Sequence, residues 1–196
     1  DPLLQRLDTK TCMLIDAAGS GTVAVGILWN ENQVKRGTNS LVDGGTFNVK
    51  NLDVKADSAQ GLSNLNIAVG AAFTASKSQV FAAASGDNIV RNQLDGTTTA
   101  KIENATVNHS GAVDVNAYHR DNAFATNIAG GIAIDNSTVG ATFDMGYGLM
   151  RENSTVKAEI NNSTLKSASG AVNVNAENNS QMAGAFGTAG IAVHVG

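Results

Sequence analysis

His119, Arg120 and Asp121 place a base, a cation and an acid in consecutive positions, the residue types that acid–base chemistry and metal ligation draw on. Neighbouring side chains on a strand leave on opposite faces, so only His119 and Asp121 could converge on one target. The simpler expectation is a turn or loop that bulges from the body of the chain and has no catalytic role. His109 and His194 have no acidic or histidine partner at ligand spacing, so a zinc site is not expected. Gly19, Ser20, Gly21 and Thr22 form a glycine-rich turn; a phosphate-cradling loop would need a Lys beside the Ser or Thr and a helix after it. Cys12 is the single cysteine, without a convincing His partner, and reads as a small buried or half-buried thiol. Asn-x-Ser/Thr triplets begin at Asn104, Asn108, Asn136, Asn153, Asn162 and Asn178; they read as turn chemistry before they read as glycan acceptors. On these grounds no residue is assigned as catalytic, cofactor-binding or metal-ligating, and no enzyme is expected.

Composition narrows the classes further. The net charge of −4 and pI near 5.2 argue against a phosphate-binding surface, so no nucleic-acid partner is expected. The longest apolar stretches, such as residues 128 to 134, fall well short of the roughly 20 residues that cross a bilayer as a helix, so no membrane span is expected. Charged residues make up only 15 % of the chain and β-branched residues alternate regularly, which favours a folded chain over a disordered one. The first residues, DPLLQRLDTKTCML, lack the basic start and apolar core of a signal peptide, and the last, GIAVHVG, stop in mid-strand pattern; the expectation is a fragment of something larger.

What must position any site is a repeat. NLDVKAD from Asn51, AVDVNAY from Ala112 and AVNVNAE from Ala171 align, making Val54, Val115 and Val174 equivalent at spacings of 61 and 59 residues. AKIENATVNHSGAV from Ala100 likewise resembles AEINNSTLKSASGAV from Ala158, and Gly70, Gly131 and Gly190 correspond. Within a unit the period is two: Val113, Val115 and Ala117 take one face and Asp114 and Asn116 the other, the mark of a half-buried strand. Asn-Ser, Asn-Asn, Ser-Gly and Asp-Gly pairs between such runs suggest tight turns. Ala, Val, Ile, Gly and Thr suit the narrow interior of a parallel β-helix better than a sandwich, which needs larger fillers than an aromatic content of 5 % supplies. The predicted fold is therefore an all-β, right-handed parallel β-helix. With coils of about 20 residues, each unit would hold three coils and the chain about nine or ten, with residues 1–45 as irregular coils or a cap and 46–196 as the solenoid proper.

The run AEINNSTLKSASGAVNVNAENNSQMAGAFGTAGIAVHVG and its earlier copy over residues 101 to 134 resemble repeats of filamentous-haemagglutinin-like bacterial exoproteins, especially leukotoxin-type ones. The resemblance implies a right-handed parallel β-helix exported by two-partner secretion or as an autotransporter passenger, through an outer-membrane transporter, to the cell surface or medium. It implies a part in host-cell attachment or damage, with a host receptor or glycan as partner and no cofactor.

Two features stand out against a passive shaft. Asp53 and Asp114 occupy equivalent outward positions of the kind used by carbohydrate-active β-helix lyases and hydrolases. With three coils per unit they would lie roughly 14 Å apart, beyond the roughly 5–9.5 Å of paired glycosidase carboxylates. Phe143, Met145, Tyr147, Leu149 and Met150 form the richest apolar cluster, read as an insertion that breaks the repeat and as the candidate contact with a partner.

Overall fold

The protein is described by a computed structural model that covers residues 4–18, 21–73, 81–135 and 139–195; for residues 4–18, 21, 135 and 139 only the backbone is described. Cys12, the turn at Gly19 and Ser20, and the triplet at Asn136 lie outside the described side chains. Among the described residues eleven strands follow one another: β1 (Leu4–Ala18), β2 (Gly21–Asp43), β3 (Thr46–Val49), β4 (Leu52–Phe73), β5 (Phe81–Glu103), β6 (Thr106–His109), β7 (Val113–Asp135), β8 (Val139–Asn161), β9 (Thr164–Lys166), β10 (Val172–Asn178) and β11 (Gln181–His194). No helix occurs among the described residues, and hence none long and apolar enough to cross a membrane.

The strands form three stacked sheets, β1-β2-β5-β8, β3-β6-β9, and β4-β7 with β10 and β11, all parallel apart from the antiparallel β1-β2 pair. This is an all-β, solenoid-like stack. Its register fixes what one repeat is. Val54 pairs with Val115 and Val115 with Val174, and Thr46, Thr106 and Thr164 align in the short sheet. Residues one repeat apart are thus immediate neighbours, and each unit of about 60 residues is a single rung.

The expectation of nine or ten coils of about 20 residues is therefore corrected to three stacked rungs. Asn, Gly and Ser inside the long strands have turn chemistry but do not turn the chain. Here the alternation runs on through them: in β5 every even position from Ala82 to Ile102 points inward, Asn88, Asn92 and Gly96 included. True corners fall where β2, β5 and β8 hand over to the short sheet. Gly44, Asn104 and Asn162 take positive φ there (72°, 54° and 48°), a conformation that Gly and Asn tolerate best. Residues 21–43, set apart in the sequence reading with the irregular N-terminal part, pair with β5 residue for residue across the whole of β2.

The interior between the two long sheets changes along the strands. At the short-sheet end, Val54, Ile102, Val107, Val113 and Val115 make an aliphatic cluster. Further along, Val34, Leu62, Leu94 and Ala123 form a second, with Met150 packed against it. At the far end only Ala24, Ala72, Ala82, Ala84 and Ala133 remain, and the sheets approach until backbones touch. Between the second cluster and the alanine layer run amides linked across rungs and sheets: Asn32 donates to Asn92, Asn64 to Asn92, and Asn66 to Asn127, at 2.9, 2.9 and 3.0 Å. Ile102 is fully buried in the aliphatic cluster. Ile102→Ala is expected to cost about 2–5 kcal/mol, measurable as a lower denaturant midpoint.

Candidate functional site

His119 and Asp121 sit in the middle of β7 as inward-facing residues, and Arg120 between them faces out. The expected bulging turn is absent: Ala59, Arg120 and their neighbours continue the β4-β7 pairing without a break. Arg120 reaches Asp57 on the neighbouring rung at 2.7 Å. That hydrogen bond, aided by Lys55, holds the Asp57 carboxyl below the ordinary carboxylate range despite some desolvation. The stabilisation from this lowered pKa is complete above the ordinary carboxylate range and is lost as pH falls through the depressed value. Arg120→Ala is expected to return the Asp57 pKa toward its ordinary value, read by NMR titration of the carboxyl.

Inside, His119 and Asp121 are fully buried between the two aliphatic clusters. His119 Nδ1 lies 2.9 Å from Thr98 Oγ1. Its Nε2 lies 2.9 Å from Asp121 Oδ2 without the alignment of a hydrogen bond. Gly96 lets the ring lie flat against the opposite sheet: a Cβ there would fall 2.4 Å from His119 Cε1. Glu152, inward on β8, completes a group whose ligating atoms all lie within 4.8 Å of one another. Ser154 Oγ approaches Asp121 Oδ2 at 3.4 Å, while Asp121 Oδ1 has no hydrogen-bond partner. Gln60, the register neighbour of Asp121, is also buried, and neither its Oε1 nor its Nε2 has a partner. Orphaned polar atoms of this kind cost about 1–3 kcal/mol each, so this layer is the least satisfied part of the interior around it. On the outer face of the same strands an opening of about 400 Å³ is bordered by Lys55, Asp57, Tyr118, Arg120, Glu177 and Asn179, while the His119 side chain stays fully buried on the inner face.

The sequence paired His119 with Asp121 but missed Glu152, Gln60 and Thr98. Register was the available signal for Gln60, since it precedes Asp121 by one repeat. Glu152 and Thr98 come from the facing sheet, and no spacing rule connects them to β7.

Asp53 and Asp114 are not three coils apart. They are direct register partners on β4 and β7, with Asn173 next in the row on β10. The 14 Å separation inferred from three coils per unit is replaced by one strand spacing, about 4.8 Å. Asn173 Nδ2 donates to Asp114 Oδ1 at 2.7 Å on this outward face.

The apolar cluster is not an insertion. Residues 143 to 150 are regular β8, paired in sequence with residues 85 to 92 of β5. Phe143, Met145, Tyr147 and Leu149 point outward and are exposed, whereas Met150 points inward to the core and is withdrawn from the contact set. Their outward neighbours extend the surface: Tyr147 lies beside Ile89 and Ile89 beside Trp29, with Ile27 two positions before Trp29. The opposite face of the stack carries a second band, Leu65, Ile67, Val69 and Phe73 on β4 with Phe124 and Ile128 on β7, all exposed. Both outer faces are thus apolar along the half of the strands whose interior is Ala, Gly and Asn.

His109 is buried at a corner, its Nδ1 2.7 Å from the Gly111 carbonyl oxygen. No family model, curated protein or solved structure matches the chain.

Proposed function

We propose that the chain is a structural segment of a large bacterial adhesin or leukotoxin, secreted or displayed on the cell surface, and that its rungs form a right-handed solenoid. The observation that carries this reading is the unbroken register of three units across all three sheets, which makes each rung a template for the next. Such stacking gives a stiff body whose stability grows rung by rung. The right hand follows the strong preference of parallel crossover connections. Two-partner secretion or autotransport through an outer-membrane transporter fits the resemblance, and so does attachment to a host receptor or glycan.

In this reading the outer band of Phe143, Met145, Tyr147 and Leu149 makes the contact with a host surface, supported by the exposure of all four side chains on one face. The test is binding of the purified segment to host cells. A Phe143→Ser, Tyr147→Ser double variant is expected to lose at least tenfold in bound protein with its far-UV spectrum unchanged. Equal binding by both proteins would remove the band from attachment. Deleting residues 143 to 150 would not serve, because it would remove eight paired residues from a long strand.

A second reading, a carbohydrate-active enzyme, is favoured by the Asp53–Asp114 row, now close enough for paired carboxylates. It predicts cleavage of acidic or neutral polysaccharides that Asp53→Asn and Asp114→Asn each abolish. Absence of reducing-end or unsaturated products across a polysaccharide panel would sink it.

A further inference from the structure

We propose that the polar layer between the two aliphatic clusters is a binding site for one divalent transition-metal ion, held by His119 Nε2, the carboxylates of Asp121 and Glu152, and the amide oxygen of Gln60. This goes beyond the shaft reading and does not depend on it. Three potential ligand groups converge within 4.8 Å. The independent observation is that buried polar atoms around this point lack partners. Gln60 is only 7 % exposed and Asp121 not at all, yet both Gln60 amide atoms and Asp121 Oδ1 are unpartnered. Register places Gln60 on the strand beside Asp121, facing the same interior. A cation chelated by both Asp121 carboxylate oxygens would satisfy Oδ1 together with Gln60 Oε1.

Geometry and charge narrow the class. At metal–ligand bonds of roughly 2.0–2.1 Å, donors at right angles to each other stand about 2.9 Å apart, the separation of His119 Nε2 and Asp121 Oδ2. Two carboxylates and a neutral imidazole balance a 2+ ion and leave no net charge in the interior. A mixed nitrogen and oxygen set without sulfur suits Zn²⁺ or Mn²⁺, whereas Ca²⁺ favours an all-oxygen shell of six to eight ligands. Thr98 is a positioning residue: with Nδ1–H donating to its hydroxyl, the Nε2 lone pair is left to face the ion.

The test uses the whole chain, stripped with a chelator, dialysed, and titrated with Zn²⁺ by calorimetry and Mn²⁺ by electron paramagnetic resonance. The expected result is one ion per chain, a higher melting temperature with Zn²⁺ and no such rise with Ca²⁺. Asp121→Asn and Glu152→Gln should each weaken binding at least tenfold. Thr98→Val should weaken it about 10- to 100-fold with every ligand in place, and His109→Gln should leave it unchanged. Glu152 is the least buried ligand, so Glu152→Gln remains decisive if Asp121→Asn fails to fold. Absence of stoichiometric Zn²⁺ or Mn²⁺ binding, or binding that Glu152→Gln leaves intact, overturns the proposal.

Discussion

Gly86→Ala, the addition of one methyl group, is expected to lower stability by about 1–3 kcal/mol, toward the upper part of that range for overpacking. A Cβ at residue 86 would fall 2.2 Å from the carbonyl oxygen of Gly130 and 2.7 Å from that of Ala68, on the facing sheet. Neither obstacle is the flexible end of a side chain. Both are backbone within a hydrogen-bonded strand pair, so the two long sheets would have to separate locally. Separation would in turn loosen the thin alanine layer of Ala24, Ala72, Ala82, Ala84 and Ala133, whose small side chains cannot reach across a wider gap. Gly61→Ala is the matched control. Gly61 also lies within a long strand, but nothing stands within 4 Å of its Cβ position, so its substitution should shift stability by less than about 0.5 kcal/mol. Urea denaturation of both variants checks the pair; comparable losses would mean that close sheet contact is not what Gly86 serves.

The repeat, the alternation and the all-β class were readable in the sequence because each is a local pattern. Val113, Val115 and Ala117 announce an inward face by period two, and the match of Val54, Val115 and Val174 announces equivalence. Rung length was not readable, because a local pattern does not say whether equivalent residues are neighbours or lie three coils apart. Asn88 and Asn92 decide it physically. Isolated on an inward strand position they would be costly; Asn92 accepts from the amides of Asn32 and Asn64 and Asn88 donates to the Asn66 backbone carbonyl, so a strand can run through them instead of turning. That one misreading carried two others with it, the wide separation of Asp53 and Asp114 and the apparent insertion at Phe143. Both disappear once a repeat is a rung. The polar layer was half visible: the His119–Asp121 pair lies on one strand, while Glu152 is brought in by the facing sheet.

Asn66→Asp is expected to be the most damaging conservative change in the interior, costing about 3–5 kcal/mol near neutral pH as an unpaired buried charge. Asn66 is buried, accepts from Asn30 Nδ2 through Oδ1 and donates from Nδ2 to Asn127 Oδ1. An ionised Asp keeps the first bond and turns the second into an oxygen facing an oxygen at about the 3.0 Å of the present bond. Water is excluded, so ionisation is disfavoured in the folded state and the introduced carboxyl takes a raised pKa. The sign of the pH dependence follows. The unfolded chain ionises near its ordinary value of about 3.9, while the folded chain resists. The penalty therefore grows as pH rises above that value, and shrinks below it, where a protonated Asp can again donate to Asn127. Denaturant midpoints of the wild type and variant should converge toward pH 3–4 and diverge toward pH 7. A constant gap across that range would show that lost shape or packing, and not buried charge, explains the cost. The same measurement bears on how a repetitive chain keeps its register. If each amide must sit against another amide on the next rung or the facing sheet, a slip of one residue would place Asn66 beside an outward position and orphan the row. The Asn excess would then specify alignment as well as stabilise it.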